Sequence, residues 1–229
     1  MGSINCLLPM VGVFGILLSG MPPALTQGSA PVSVAAPFTA IEFYNQGLEK
    51  RYQGDYRGAW QDFNQAIRLQ PTFAAAYNNR GVIRLELGDV EGALADYERA
   101  IGLIQNYSVA YMNRGNIRRM QGDRQGAVTD ISRAIQLNSN WGEGSLEAAH
   151  YLRGQIRLEL GDRRGASQDF RRARQLGFEE VDDYLQLQLQ NAVALRNWEQ
   201  AMLLVDVMVE VFPTQAGELR AYRARLQRM

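Results

Sequence analysis

Residues 74–107 read AAAYNNRGVIRLELGDVEGALADYERAIGLIQNY, and the chain repeats this sentence on both sides. Tyr77, Gly81, Gly88, Ala93, Tyr97 and Ala100 are its fixed points. The same frame moved backward meets Phe43, Gly47, Gly54, Ala59, Phe63 and Ala66; moved forward it meets Tyr111, Gly115, Gly122, Ala127, Ile131 and Ala134. A period of about 34 residues marks stacked supersecondary units, which bury a core only against one another.

Each unit carries the same grammar. In the first, about 40–73, Ile41, Phe43, Tyr44, Leu48 and Tyr52 fall at helical spacing. Gly54 ends that helix, and Asp55 is placed to cap the next. The second helix buries Ala59, Phe63, Ala66 and Ile67, and Pro71 stops it. Units follow at 74–107, 108–141 and about 147–180. The fourth comes late: the period from Gly115 points to position 149, but the glycine is Gly154. The extra five residues fall around Asn138–Gly144, a stretch that includes Trp141. A degenerate fifth unit, about 182–213, keeps Trp198, Ala201 and Pro213 but loses both glycines. Thr214 then caps a terminal helix over about 215–228, whose Ala216, Leu219, Tyr222 and Leu226 share one face. The fold expected is an all-α, right-handed α-solenoid with this C-terminal capping helix.

Composition bounds the function. Basic and acidic residues balance at 24 each, which argues against a nucleic-acid binder. The single cysteine, Cys6, precedes the repeats, and His150 is the only histidine. No thiolate nucleophile, thiolate metal site or histidine-rich metal site is therefore expected in the repeats, nor any cofactor or catalytic group.

Residues 1–37 carry no charged side chain, and Cys6–Leu18 is an apolar run followed by small residues. This pattern indicates a signal peptide or short membrane anchor plus linker, with a possible tether through residues 4–21. No Lys or Arg precedes the run, where a signal peptide normally has one. Cleavage near Ala30 or Ala35 would remove Cys6. The start Met1-Gly2-Ser3-Ile4-Asn5-Cys6 departs from a myristoylation site at Cys6. The chain is expected in a periplasm or organelle-type lumen or anchored to a membrane, and in the cytoplasm if residues 1–37 do not target it.

The order aromatic, glycine, small residue, aromatic, alanine, proline over residues 40–213 resembles the tetratricopeptide repeat (TPR), and Asn79-Arg80-Gly81 and Asn113-Arg114-Gly115 look like the "NRG" variety common in bacterial members. The resemblance implies a superhelix whose first helices line a concave groove, a peptide of a partner protein held there, and no catalysis. Asn45, Asn79 and Asn113 take the groove position at which the O-GlcNAc transferase superhelix has its asparagine ladder. A carboxamide offers both a donor and an acceptor to an extended backbone; the other reading is a bond within the repeat itself. By the same register Tyr44, Asn78, Met112, Asn116 and Tyr151 face the groove, with Leu48, Arg51, Tyr52, Val82, Arg119, Met120 and Gln155. The cationic set that clamps a C-terminal carboxylate is missing, since Tyr44, Leu48 and Val109 stand in its places.

Arg80, Arg114 and Arg153 recur against Asp62, Asp96, Asp130 and Asp169. Pairing runs either within a repeat (Arg80 with Asp96) or across repeats (Asp62 with Arg80), and in either case it sets register. His150 stands where Phe43, Tyr77 and Tyr111 stand and is expected to pack as they do. Trp141 is either folded back on the fourth repeat or presented to a partner. The function expected is a non-enzymatic scaffold that binds a peptide in the groove. The alternative is a structural subunit or assembly factor of a membrane complex that binds through its convex face or the Trp141 loop.

Overall fold

The computed structural model describes residues 38–142 and 144–229. The targeting segment expected over residues 1–37 lies outside them. The described residues form helices and no strand: α1 (Ala40–Tyr52), α2 (Tyr56–Leu69), α3 (Ala74–Glu86), α4 (Val90–Leu103), α5 (Ser108–Met120), α6 (Arg124–Leu137), α7 (Leu146–Glu159), α8 (Arg163–Gln175), α9 (Glu180–Ala194), α10 (Trp198–Val211) and α11 (Ala216–Leu226). None of these helices is long and apolar enough to cross a membrane.

Consecutive helices pair into hairpins, and each hairpin leans on the next. The turn inside a hairpin is set by two residues. Gly88 takes φ +84°, a left-handed conformation that costs glycine little. The carboxylate of Asp89 then accepts a hydrogen bond from the Gly92 N–H at 2.9 Å. A Cβ on Gly92 would lie only 2.1 Å from Asp89 Oδ2, so the cap requires a second glycine beyond the aspartate. Asp55, Asp123 and Asp162 cap α2, α6 and α8 in the same way.

Within the second hairpin, α3 and α4 meet where Gly81 faces the Tyr97 ring. A Cβ there would stand 2.7 Å from Tyr97 Cε1 and 3.2 Å from the Ala93 carbonyl oxygen. The second-helix side chain also reaches the next hairpin. Phe63 packs with Ile83, Tyr97 with Ile117, and Ile131 with Ile156, all fully buried. One side chain therefore closes its own hairpin and joins it to the following one.

The first helices α1 and α3, and α5 and α7, touch each other, so the inner side of the array is built from first helices. The fifth hairpin departs from this scheme. Leu189 stands at the glycine position of the first helix, and α8 packs chiefly on α10 instead of α9. Arg196 takes the place of the turn glycine and keeps its left-handed backbone, at φ +54°. Here Tyr151, Phe170, Phe178 and Tyr184 gather between α7, α8 and α9, with ring centroids 4.7–6.2 Å apart.

The first and last described helices differ from the interior ones. At positions where Ala76, Ala110 and Ala149 are buried, α1 carries exposed Glu42; where Ile83, Ile117 and Ile156 are buried, it carries exposed Glu49. At the other end α11 lays Leu219, Tyr222 and Leu226 on the last hairpin, and Arg223 pairs with Asp206. The cap expected from Thr214 is not formed. Pro213–Gln215 make a 3-10 turn, and α11 starts after Gln215 with no side-chain cap.

Candidate functional site

On the inner side, α1, α3 and α5 enclose a pocket of about 340 Å³. Tyr44, Asn78, Asn79, Met112 and Asn113 line it, joined by Leu48, Arg51 and Val82. Asn45, Asn116 and Tyr151 stand outside it. Asn45 is exposed on the first helix and Asn116 is half-buried one turn beyond Asn113. Tyr151 belongs to the aromatic cluster of the C-terminal hairpins, where burial pushes its hydroxyl pKa up. The same burial pushes Tyr184 up to about 12.

The three recurrent asparagines do not share one environment. Asn79 is buried and occupied: its Nδ2 donates to Tyr44 Oη at 3.0 Å and to the Ala75 carbonyl at 3.1 Å, and its Oδ1 accepts from Arg51 Nη1 at 2.8 Å. It ties α3 to α1. Asn113 donates through Nδ2 to Asn78 Oδ1 at 3.1 Å and ties α5 to α3. Asn45 makes no side-chain hydrogen bond among the described residues. Further along, Arg119 donates to Glu159 at 2.9 Å and to Gln155 at 3.2 Å, and Arg124 reaches the same Glu159 at 2.9 Å. These bonds join the third hairpin to the fourth across the groove.

The inserted loop closes one side of the pocket. Asn138, Asn140 and Gly142 all have positive φ, between 43° and 57°, which coils the loop back on the array. Ser139 accepts at its carbonyl from the Ser108 N–H at 3.1 Å and donates through Oγ to the Asn106 carbonyl at 2.9 Å; Asn140 Nδ2 reaches that carbonyl at 3.2 Å. Trp141 folds back, the first of the two readings its sequence position allows. Its indole N–H donates to Asn138 Oδ1 at 3.0 Å, and its side chain packs against the buried cluster of Ala127, Ile131, Ala149 and Ile156. Gly144 then lies against Val109 and Met112, so Gly142 and Gly144 form a wall of the pocket. Register points to Met112. It is silent on Tyr107, Gly142 and Gly144, for which the late arrival of Gly154 is the only signal in the sequence.

The arginine–aspartate series lies away from this pocket and pairs within repeats. Arg80 clasps Asp96 with bonds of 2.9 and 2.6 Å, Arg114 clasps Asp130 at 2.8 and 2.6 Å, and Arg153 clasps Asp169 at 2.8 and 2.7 Å. A second arginine one turn on, Arg84, Arg118 or Arg157, pairs with the same buried carboxylate. In the first hairpin the only lysine, Lys50, reaches Asp62 at 2.6 Å instead. Arg80 also donates to Asn64 and Arg153 to Ser132, each on the preceding hairpin, which couples the clasp to hairpin stacking. His150 does more than pack: its Nδ1 lies 2.9 Å from Asp169 Oδ1. Burial alone would raise the Asp169 pKa; the His150 and Arg153 hydrogen bonds and the Arg153 and Arg157 charges outweigh it and hold the carboxyl below its ordinary value.

No group of His, Cys, Asp and Glu side chains among the described residues has the arrangement to hold a metal ion. The inner face offers amides, aromatic rings and aliphatic side chains, a mixture of hydrogen-bonding and apolar groups.

Residues 44–108 match the tetratricopeptide repeat family. Crystal structures of MamA superpose on the array, one 16% identical over 79% of this chain and 94% of that one with a TM-score of 0.56, the other 17% identical over 76% and 96% with a TM-score of 0.53. A third structure, the first TPR of Spaghetti (RPAP3) bound to an HSP90 peptide, is 24% identical over 53% of this chain and 93% of that one, with a TM-score of 0.48. Among curated proteins no significant match is found. Residues 44–108 are thus similar to tetratricopeptide repeats, and the described residues form an all-α array of stacked helical hairpins with the fold of those structures.

Proposed function

We propose that the protein is a non-enzymatic scaffold whose inner face grips an extended peptide segment of a partner protein. The observation that carries this reading is the Asn113–Asn78 bond between neighbouring first helices. One such bond uses one donor of one amide and one acceptor of the other. Asn78 Nδ2 and Asn113 Oδ1 are left without a partner among the described residues, at the edge of a pocket. A peptide group needs one acceptor and one donor, which is what this pair supplies.

Photo-crosslinking in cells with the full chain tests the reading. Benzoylphenylalanine at Asn116, on the inner face, is expected to capture a partner, and the same residue at exposed Arg133 on α6 is not. Adducts from Arg133 and none from Asn116 would move binding to the outer face and sink the groove.

The apolar run Cys6–Leu18 supports delivery to, or tethering at, a membrane. Cell fractionation with N-terminal sequencing of the mature protein decides it: recovery of intact residue 1 in a soluble cytoplasmic fraction would remove this part of the proposal.

A further inference from the structure

Charge is unevenly placed in a chain that is neutral as a whole. We infer that α8 and α11, which both pack on α10, form an electrostatic docking face for an anionic lipid surface. This hold is separate from the apolar one proposed for Cys6–Leu18 and adds to it.

The pairing of charges carries the inference. Residues 163–175 and 216–228 contain nine arginines. Three of them have carboxylate partners: Arg174 holds Asp182, and Arg163 and Arg223 meet at one carboxylate, Asp206 of α10. The other six, Arg164, Arg171, Arg172, Arg220, Arg225 and Arg228, are exposed and form no ion pair among the described residues. Against them, α8, α10 and α11 leave Glu199 and Glu218 as carboxylates without an ion pair. Residues 1–37 carry no charged side chain and bring no counter-charge. Because Arg163 and Arg223 reach the same Asp206, the N-terminal end of α8 and the middle of α11 stand on either side of α10. The free arginines therefore belong to one part of the surface and not to opposite ends of the molecule.

The chemistry of the stripe favours lipid over an acidic protein. Arg164, Gln168, Arg171, Arg172 and Gln175 follow one line along α8, and no apolar side chain is exposed among them. Protein partners are held at aromatic or apolar anchors seated in pockets. A layer of anionic headgroups needs charge alone, and each arginine near it raises partition about fivefold.

The test is flotation of the full chain with vesicles of phosphatidylcholine alone or mixed with phosphatidylglycerol. Partition is expected to be at least tenfold higher on the anionic vesicles. That preference should vanish when salt rises from about 0.1 M to about 1 M, which shortens the screening length from about 10 Å to about 3 Å. Arg164→Gln, Arg172→Gln, Arg220→Gln and Arg228→Gln together are expected to remove at least nine-tenths of the preference, by the same fivefold per charge. They should leave the circular dichroism unchanged, since none of the four side chains has a partner among the described residues. The same loss of charge at exposed Arg57, Arg68, Arg133 and Arg196 is expected to leave most of it.

Equal loss in the two quadruple variants would trace the effect to net charge and overturn the face. Equal, salt-insensitive binding to both kinds of vesicle overturns it and leaves the apolar tether standing. Binding to neither overturns the face and counts against the tether as well. Salt-sensitive binding to polyglutamate with no preference for anionic vesicles would assign the arginines to an acidic protein and overturn the inference.

Discussion

Single residues decide how closely these helices approach. Gly81→Ala places a Cβ 2.7 Å from the Tyr97 ring and 3.2 Å from a backbone carbonyl that has little freedom to move. The variant is expected to lose about 1–3 kcal/mol in urea unfolding, the usual cost of overpacking. Arg196→Gly should act in the opposite direction. Arg196 is exposed and held at φ +54°, a conformation that costs an L side chain about 1–2 kcal/mol, so a gain of about 1 kcal/mol is expected in the same assay. Asp130→Ala strips the partner from both Arg114 and Arg118 and is expected to cost about 3–5 kcal/mol. The exposed Arg174–Asp182 pair makes the comparison: Asp182→Ala should cost under about 1 kcal/mol. Glycines and capping aspartates are legible in the sequence because each answers a local demand. The asparagines are not. What Asn79 and Asn113 bond to is set one repeat earlier, by Tyr44 and Arg51 in one case and by Asn78 in the other. Asn45 has no preceding hairpin to meet among the described residues.

At the scale of the element, hydrogen bonds that bridge first helices define the inner face. Asn79→Ala removes the tie between α3 and α1 and is expected to cost about 1–3 kcal/mol in thermal unfolding, since Arg51 and Tyr44 both lose a partner. The fourth hairpin carries an acid-sensitive tie. The Asp169 pKa lies below its ordinary value of 3.8 when folded. The unfolded chain therefore binds more protons over the window between the folded value and 3.8, and stability rises with pH there. The contribution is complete above pH 3.8 and is lost as pH falls through the folded value. Acid unfolding of Asp169→Asn is expected to depend less steeply on pH below 3.8 than that of the unmodified protein. The insertion is visible in the sequence as a break in period. Its course is not, because positive φ at two asparagines and bonds to Asn106 and Ser108 on the preceding hairpin are not written in any local pattern.

Across the whole molecule, order is shared from neighbour to neighbour. In α1 only Gly47 is buried, and in α11 only Leu226, while every interior interface has fully buried residues on both sides. Amide hydrogen exchange is expected to be fastest in α1 and α11 and slowest in α3 to α8, as in a one-dimensional array that frays from its ends. Uniform protection from α1 to α11 would mean a single cooperative body instead. The period alone implies this architecture. The different packing of the fifth hairpin, in which α8 meets α10 more than α9, is only hinted at by its missing glycines, because no local pattern states which helix of the next hairpin will be met. The first hairpin's outward face has one more effect. At the two buried positions that interior first helices fill with Ala and Ile, α1 carries Glu42 and Glu49, so a copy stacked there tail to head would have to strip water from both carboxylates. That desolvation is a cost that no interior pair of hairpins meets, and it disfavours the run of hairpins continuing from one chain into the next.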